Sequence, residues 1–251
     1  MKLTHDDELT VERRLIEVLG EGHNQWNYRP DLKSEADLWH NLRHKITRNN
    51  LSEIGEHPIT DAEFDKVKTE LLSKTQTPFD AARWLKGENG ISRITIERED
   101  ATLGSMSLIL YSNQDIGGGI STYEVVHQIA KQRSTEDGRD RRFDVTLLIN
   151  GLPIVQIELK KVTAKDGVFQ AHHQIKKYAE EGLFRNNIFS TLQLFVISNE
   201  QTTRYFANAL PKDMHRKFIF SWRTTNNQKV DNLYEFVKQV LNIPDAHRLI
   251  A

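Results

Sequence analysis

Apolar positions along the chain follow two periods, and the switch between them divides the sequence. Leu9, Val11, Leu15, Ile16, Val18 and Leu19 fall largely on one side of a helix that Gly20 stops, with Thr10 or an earlier residue as its N-cap. Ser34 and Asp37 form a capping-box pair at the head of "SEADLWHNLRHKITRNN", where Leu38, Leu42 and Ile46 recur every four residues. Two more helices run through "TDAEFDKVKTELLSK" and "PFDAARWLK", so this region reads as a helical layer beside a sheet. From residue 91 the period shortens: "ISRITIERE" alternates imperfectly, "SMSLILY" is a buried run, and "STYEVVHQIAKQ" is β-rich after Gly117, Gly118 and Gly119. A helix from about 168 to 181, a buried strand in "TLQLFVIS" and a small amphipathic helix in "DNLYEFVKQVL" complete the pattern. There is no internal repeat and no low-complexity tract.

Between those strands lies "RRFDVTLLINGLPIVQIELKKV", residues 141–162, two apolar runs around Asn150-Gly151. That pair predicts a hairpin, because a type I′ turn needs positive φ at both central residues. Asp144 opens the first run, while Glu158 and Lys160 close the second. A strict two-residue loop sets Asp144 opposite Ile157; a three-residue loop or a bulge sets it opposite Glu158. Pro153, unable to donate a ladder hydrogen bond, favours irregularity. Glu158 and Lys160 are two apart and share a face whichever register holds. In the offset register two carboxylates and an ammonium converge: the carboxylate oxygens suit Mg²⁺, and the ammonium beside them suits water orientation or charge stabilisation in phosphodiester hydrolysis. The competing reading is a solvated strand end, for which charged residues are ordinary. Gln174 and Tyr178, four apart on the next helix, are either a structural pair or groups that hold a DNA backbone or brace the site.

Composition narrows the choices. The chain has 251 residues, 38% of them hydrophobic, enough for one large domain or two small ones; it reads as one domain with appendages. With 34 basic and 35 acidic residues the net charge is -1, so no overall field draws in a polyanion, and DNA would be held by local contacts. The basic stretch "GRDRR" at 138–142, ending in Arg142, suits phosphate contacts. The absence of cysteine excludes disulfides, thiolate metal sites and a cysteine nucleophile, and fits a reducing cytoplasm. No apolar signal core opens the chain and its longest apolar runs are too short to span a bilayer, so a soluble cytoplasmic protein is expected. His172-His173 lacks the HExxH spacing of a zinc site and is expected at a surface or facing DNA. "HDDE" at 5–8 offers weak cation binding but reads first as a solvated terminus, and the glycines at 117–119 read as a flexible turn. No GxxxxGK[ST] phosphate loop is present.

The order Asp144, "NGLP" at 150–153, "IELK" at 157–160 and "QIKKY" at 174–178 resembles the N-terminal nuclease domain of the motor/restriction subunit of type I restriction-modification enzymes. That family belongs to the PD-(D/E)xK nucleases and carries a QxxxY motif after its catalytic strand. The resemblance spans roughly residues 120–200 and, more loosely, the first helix. It implies an α/β fold with a PD-(D/E)xK restriction-endonuclease-like core: a central mixed sheet flanked by helices, with a helical insertion at about 30–90. It implies an endonuclease domain over 1–210 and a C-terminal extension over 211–251 leading towards a motor domain not found here. By the same resemblance Asp144 and Glu158 are metal-binding carboxylates, Lys160 is the catalytic lysine, and Gln174 and Tyr178 are the QxxxY pair. Glu12 matches the family's acid on the first helix, with Glu17 as the fallback. Phe143 stands where the family usually has proline; that proline shapes the backbone and performs no chemistry. The expected reaction is Mg²⁺-dependent cleavage of double-stranded DNA, with methyltransferase and specificity subunits reached through the full-length protein. ATP is expected to serve the motor and not to bind this chain. The alternatives are a non-catalytic DNA-docking or coupling module of the same subunit, or another PD-(D/E)xK nuclease such as a junction resolvase.

Overall fold

The computed structural model describes residues 6–22, 25–114, 116–117, 119–131, 141–164 and 166–250. Helix α1 spans Asp6–Gly20 and begins earlier than its apolar pattern, which puts Thr10 inside the helix and not at its cap. A short strand β1 (Asn27–Tyr28) leads to α2 (Glu35–Asn49), whose capping box is complete. Asp37 N donates to Ser34 Oγ at 3.2 Å, and Ser34 N to Asp37 Oδ2 at 2.9 Å. One turn, α3 (Leu51–Ile54), follows. Then come α4 (Asp61–Lys74), capped reciprocally by Thr60 and Glu63, and α5 (Pro78–Lys86), with proline in its first turn, where its missing N–H costs nothing. Gly87 ends α5 at φ 64; a Cβ there would stand 2.3 Å from Ile91 O, so no other residue fits.

Among the described residues strands β2 (Ile91–Glu97) and β3 (Ser105–Ser112) form a two-stranded sheet of their own, β2 lying against α4 and α5 and β3 against α2 and α3. The central sheet takes β4 (Tyr123–Lys131), β5 (Arg141–Ile149), β6 (Leu152–Leu159), then, after α6 (Gly167–Glu180), β7 (Leu194–Ser198) and β8 (Thr203–Ala207). Its strand order is β1-β4-β5-β6-β7-β8. The β1/β4 and β6/β7 pairs are parallel and the rest antiparallel, a mixed sheet flanked by helices. Helix α6 is the crossover that parallel pairing of β6 with β7 requires. A small ribbon, β9 (Trp222–Arg223) with β10 (Lys229–Val230), precedes α7 (Leu233–Val240) and α8 (Ile243–Ile250). Leu233, Phe236, Val237 and Leu241 join the same core as the sheet, and Trp26 Nε1 donates to Leu241 O at 2.7 Å. Among the described residues no helix is long and apolar enough to cross a membrane.

The hairpin combines a tight turn with an offset. Asn150 (φ 53) and Gly151 (φ 82) form the turn, and Ile149 pairs with Leu152 and Leu148 with Pro153. The register then shifts: Leu147 pairs with Val155, leaving Ile154 as the extra residue, and Thr146 and Val145 pair with Gln156 and Ile157. Carried one step outward, this register sets Asp144 level with Glu158. The bulge follows directly on Pro153, the residue without a ladder donor. Gly151 also seats the turn on α2, for a Cβ there would stand 2.9 Å from Leu42 Cα, while Asn150 ties it to Thr122 N and Leu110 O.

Candidate active site

All eight residues of β6 are buried, as in a strand covered on both faces, yet one of them is Glu158. Its side chain is 1% exposed. Lys160 Nζ donates to Glu158 Oε1 at 3.1 Å and to Leu159 O at 2.9 Å, while Glu158 Oε2 is buried with no hydrogen-bond partner. Opposite, Asp144 Oδ2 accepts from Leu159 N at 2.8 Å, which fixes the aspartate at the mouth of the hairpin. Burial pushes Asp144 up to about 6, against the Leu159 N–H and the Lys160 charge, and Glu12 and Glu8 add repulsion. Glu158 stands well above the usual carboxylate range because of burial first and the Asp144 charge second, with Lys160 opposing. The structure therefore brings the hairpin's three charged residues together on one side of the sheet.

A second set of groups arrives from α1 and β4. Glu12, 3% exposed, accepts from Gln128 Nε2 at 2.7 Å and from His127 Nδ1. The other ring nitrogen, Nε2, shares a hydrogen bond with the Tyr28 hydroxyl at 2.8 Å. Adjacent strand residues normally point to opposite faces; the left-handed backbone of Gln128 (φ 53) lets both His127 and Gln128 reach one carboxylate. Gln128 lies level with Asp144, between the pairs His127/Val145 and Ile129/Phe143. One turn before Glu12, Glu8 accepts from Lys161 N at 3.1 Å. Glu8, Glu12, Gln128, Arg142 and Asp144 line a cavity of about 520 Å³.

Glu8 corrects the reading of "HDDE" as a solvated terminus: α1 starts early enough to carry Glu8 onto the same face as Glu12. His5 and the side chains of Asp6 and Asp7 lie outside the described residues, as do residues 138–140 of "GRDRR", the side chain of Arg141, and Gly118 of the glycine run. Glu17, the fallback acid, points away from the cavity and pairs with Arg14 at 2.9 Å on the surface. His127, Gln128, Tyr28 and Glu8 were missed by sequence reasoning; only the hydrophilic break in "EVVHQIA" hinted at the first two.

Gln174 Nε2 donates to the Tyr178 hydroxyl at 2.6 Å. The Tyr178 ring meets Phe143 edge-on at 5.6 Å, and Phe143 in turn packs on Phe189 at 4.8 Å and Phe184 at 5.5 Å. Phe143 thus holds the backbone next to Asp144 by packing, where proline would do so by its ring. The expectation that His172 and His173 share a surface is corrected. His172 is 3% exposed against Phe206 with both ring nitrogens unpartnered, and only His173 is at the surface. Burial depresses His172 to about 4, helped by the charges of His173, Arg216 and Lys176.

The donor chemistry bears on a metal. A buried carboxylate with an unpartnered oxygen and a half-buried one that repels it fit a small divalent cation that keeps several waters. Both Glu12 oxygens are engaged, and among the described residues no group of three His, Cys, Asp or Glu could hold a metal ion. The fit therefore rests on Asp144 and Glu158.

Residues 7–213 match the family model described as type I restriction enzyme R protein N terminus. The chain belongs to that family. It is 27% identical over 250 residues to the type I restriction enzyme SauMSSORF170P endonuclease subunit of Staphylococcus aureus (strain MSSA476), covering 99% of this chain and 24% of that one. It is 41% identical over 111 residues to the type I restriction enzyme EcoprrI endonuclease subunit of Escherichia coli, covering 43% of this chain and 35% of that one. The chain thus spans about a quarter of the length of the staphylococcal relative. As an R-protein N terminus, its family match takes in α1 to β8 and every residue of the cavity described above.

Proposed function

We propose that this chain is the Mg²⁺-dependent endonuclease core of a type I restriction R subunit, a PD-(D/E)xK nuclease hydrolysing phosphodiester bonds of double-stranded DNA. One observation carries the reading. A bulge in the β5/β6 hairpin aligns Asp144 with Glu158 and Lys160, placing charge in a strand whose other buried residues are apolar save Gln156, and leaving a buried carboxylate oxygen without a partner. Buried charge of this kind is costly and is retained where chemistry needs it.

Asp144 and Glu158 would hold Mg²⁺, which when bound supplies Lewis-acid stabilisation of charge on the phosphate and a more acidic water. The chain's own groups do the rest. Lys160, held by Glu158 and Leu159 O, orients the attacking water and offers its ammonium to charge developing on a phosphate oxygen. Glu12 faces the same cavity, a candidate further ligand that here keeps Gln128 and His127 fixed. Arg142, exposed at the rim, is suited to a backbone phosphate. Gln174 and Tyr178 brace the hairpin through Phe143.

The wider setting is part of the proposal. Duplex DNA is delivered by a motor domain in the longer protein, where ATP is used, in a cytoplasmic assembly with methyltransferase and specificity subunits. Residues 211–251 extend the 1–210 nuclease unit towards that motor. In the full-length protein Asp144→Ala, Glu158→Ala and Lys160→Ala each abolish cleavage while translocation continues. On this chain alone, Mn²⁺ binding followed by electron paramagnetic resonance is lost in Asp144→Asn. Cleavage retained by all three alanine variants would overturn the assignment.

A further inference from the structure

Three phenylalanines stand half out of the surface away from the carboxylates. Phe169 on the outer face of α6 is 38% exposed, and Phe218 and Phe220, ahead of β9, are 49% and 50% exposed. Cations cover two of them: the Arg216 guanidinium lies 4.7 Å from the Phe169 ring centre, and Lys217 Nζ lies 4.9 Å from that of Phe218. Arg216 Nη2 also donates to His173 Nε2 at 2.9 Å, tying this segment to α6. Arg29, Arg43, Arg98 and Arg204 each pair with a carboxylate, but among the described residues neither Arg216 nor Lys217 does.

Cations without carboxylates, interleaved with exposed rings, complement a ligand that carries both repeated negative charge and flat apolar faces. A duplex offers the charge but keeps its base faces stacked inside. An acidic peptide offers the charge and few rings. An unpaired nucleic-acid strand offers both. We infer that this face binds single-stranded DNA, with Arg216 and Lys217 on phosphates, Phe218 and Phe220 stacking on bases, and Phe169 as the platform that holds Arg216 in place. Helix α6 begins against Lys160, since a Cβ on Gly167 would stand 3.3 Å from Lys160 Cβ, so a strand leaving the hairpin could pass directly onto this face. Binding here needs neither a divalent cation nor Asp144, and so stands apart from the nuclease reading.

The test is fluorescence anisotropy of a labelled oligo-dT of about 15 nucleotides, within the span of such sites, titrated with the full chain in EDTA beside a duplex of equal length. The strand is expected to bind tighter than the duplex. Phe218→Ala, an exposed position, weakens the strand about tenfold and leaves the duplex unchanged. Arg216→Glu weakens both and flattens the salt dependence between about 50 and about 200 mM. Asp144→Asn binds the strand as wild type does. A strand bound no tighter than duplex, or Phe218→Ala indistinguishable from wild type, would overturn the inference. Loss of binding in Asp144→Asn would overturn it too, by moving the strand to the carboxylates, and no binding at all would leave the face to a protein partner.

Discussion

Replacing Asp144 with asparagine should make the metal-free protein more stable. The side chain keeps its shape and can still accept from Leu159 N, the bond that now spans 2.8 Å. What changes is the charge. Aspartate ionises near 3.8 in the unfolded chain, whereas burial raises Asp144 to about 6 in the fold. Between those values the folded protein binds more protons than the unfolded one, so stability falls as pH rises, and the penalty is complete above about 6. A displacement of that size corresponds to about 3 kcal/mol, which asparagine does not incur. Urea unfolding in EDTA, followed by circular dichroism, reads it. Asp144→Asn is expected to exceed wild type by about 2 to 3 kcal/mol at pH 8 and by about 1 kcal/mol at pH 4.5. Adding Mg²⁺ at about 100 times its dissociation constant should then raise wild type by about 2.7 kcal/mol and leave the variant unmoved. An asparagine variant no more stable than wild type at pH 8, or a gap independent of pH, would refute the account of a carboxylate held charged against its surroundings.

Three further outcomes follow from packing and burial. Phe143→Ala removes a fully buried ring from between Tyr178, Phe184 and Phe189, and should cost about 3 to 5 kcal/mol in chemical denaturation; a loss under about 1 kcal/mol would deny the ring its anchoring role. Gly151→Ala meets both a positive φ of 82 and a contact of 2.9 Å with Leu42 Cα, and should cost about 2 kcal/mol, visible as a lower melting temperature. His172→Leu should stabilise the protein at neutral pH by removing two unpartnered ring nitrogens. Because wild-type His172 is depressed to about 4, the unfolded state takes up the extra proton between about 6.5 and about 4. Wild-type stability should fall as pH drops through that window, and His172→Leu should lose less over the same range.

The helices were legible because their signals are local. Ser34 with Asp37 and Thr60 ahead of Glu63 mark their starts by side chains three residues apart, and the structure begins α2 and α4 there. The strands were legible as runs but not as partners. Nothing in "ISRITIERE" says that β2 pairs with β3 and not with the central sheet, since pairing depends on which surfaces other elements have already covered. Strand β8 escaped because "TRYFA" is short and alternates little, and its place is set by β7 beside it.

The site divides along the same line. Asp144, Glu158 and Lys160 could be grouped from sequence because one turn and one irregularity fix their relation, leaving a single choice of register. The bulge after Pro153 makes that choice, and its cause, a missing backbone donor, was already visible. Glu8, His127 and Gln128 could not be grouped with them by any such rule. Glu8 and Gln128 reach the cavity, and His127 reaches Glu12, through the docking of α1 across the sheet and through one left-handed residue in β4, and neither leaves a periodic trace. Both devices act on Glu12: one brings it in, and the other supplies the two donors that hold it. The hairpin therefore carries the charges that chemistry would use, while distant segments determine how rigidly a carboxylate stands beside them. A change at Gln128 that restores ordinary strand alternation should disturb Glu12 without moving Asp144.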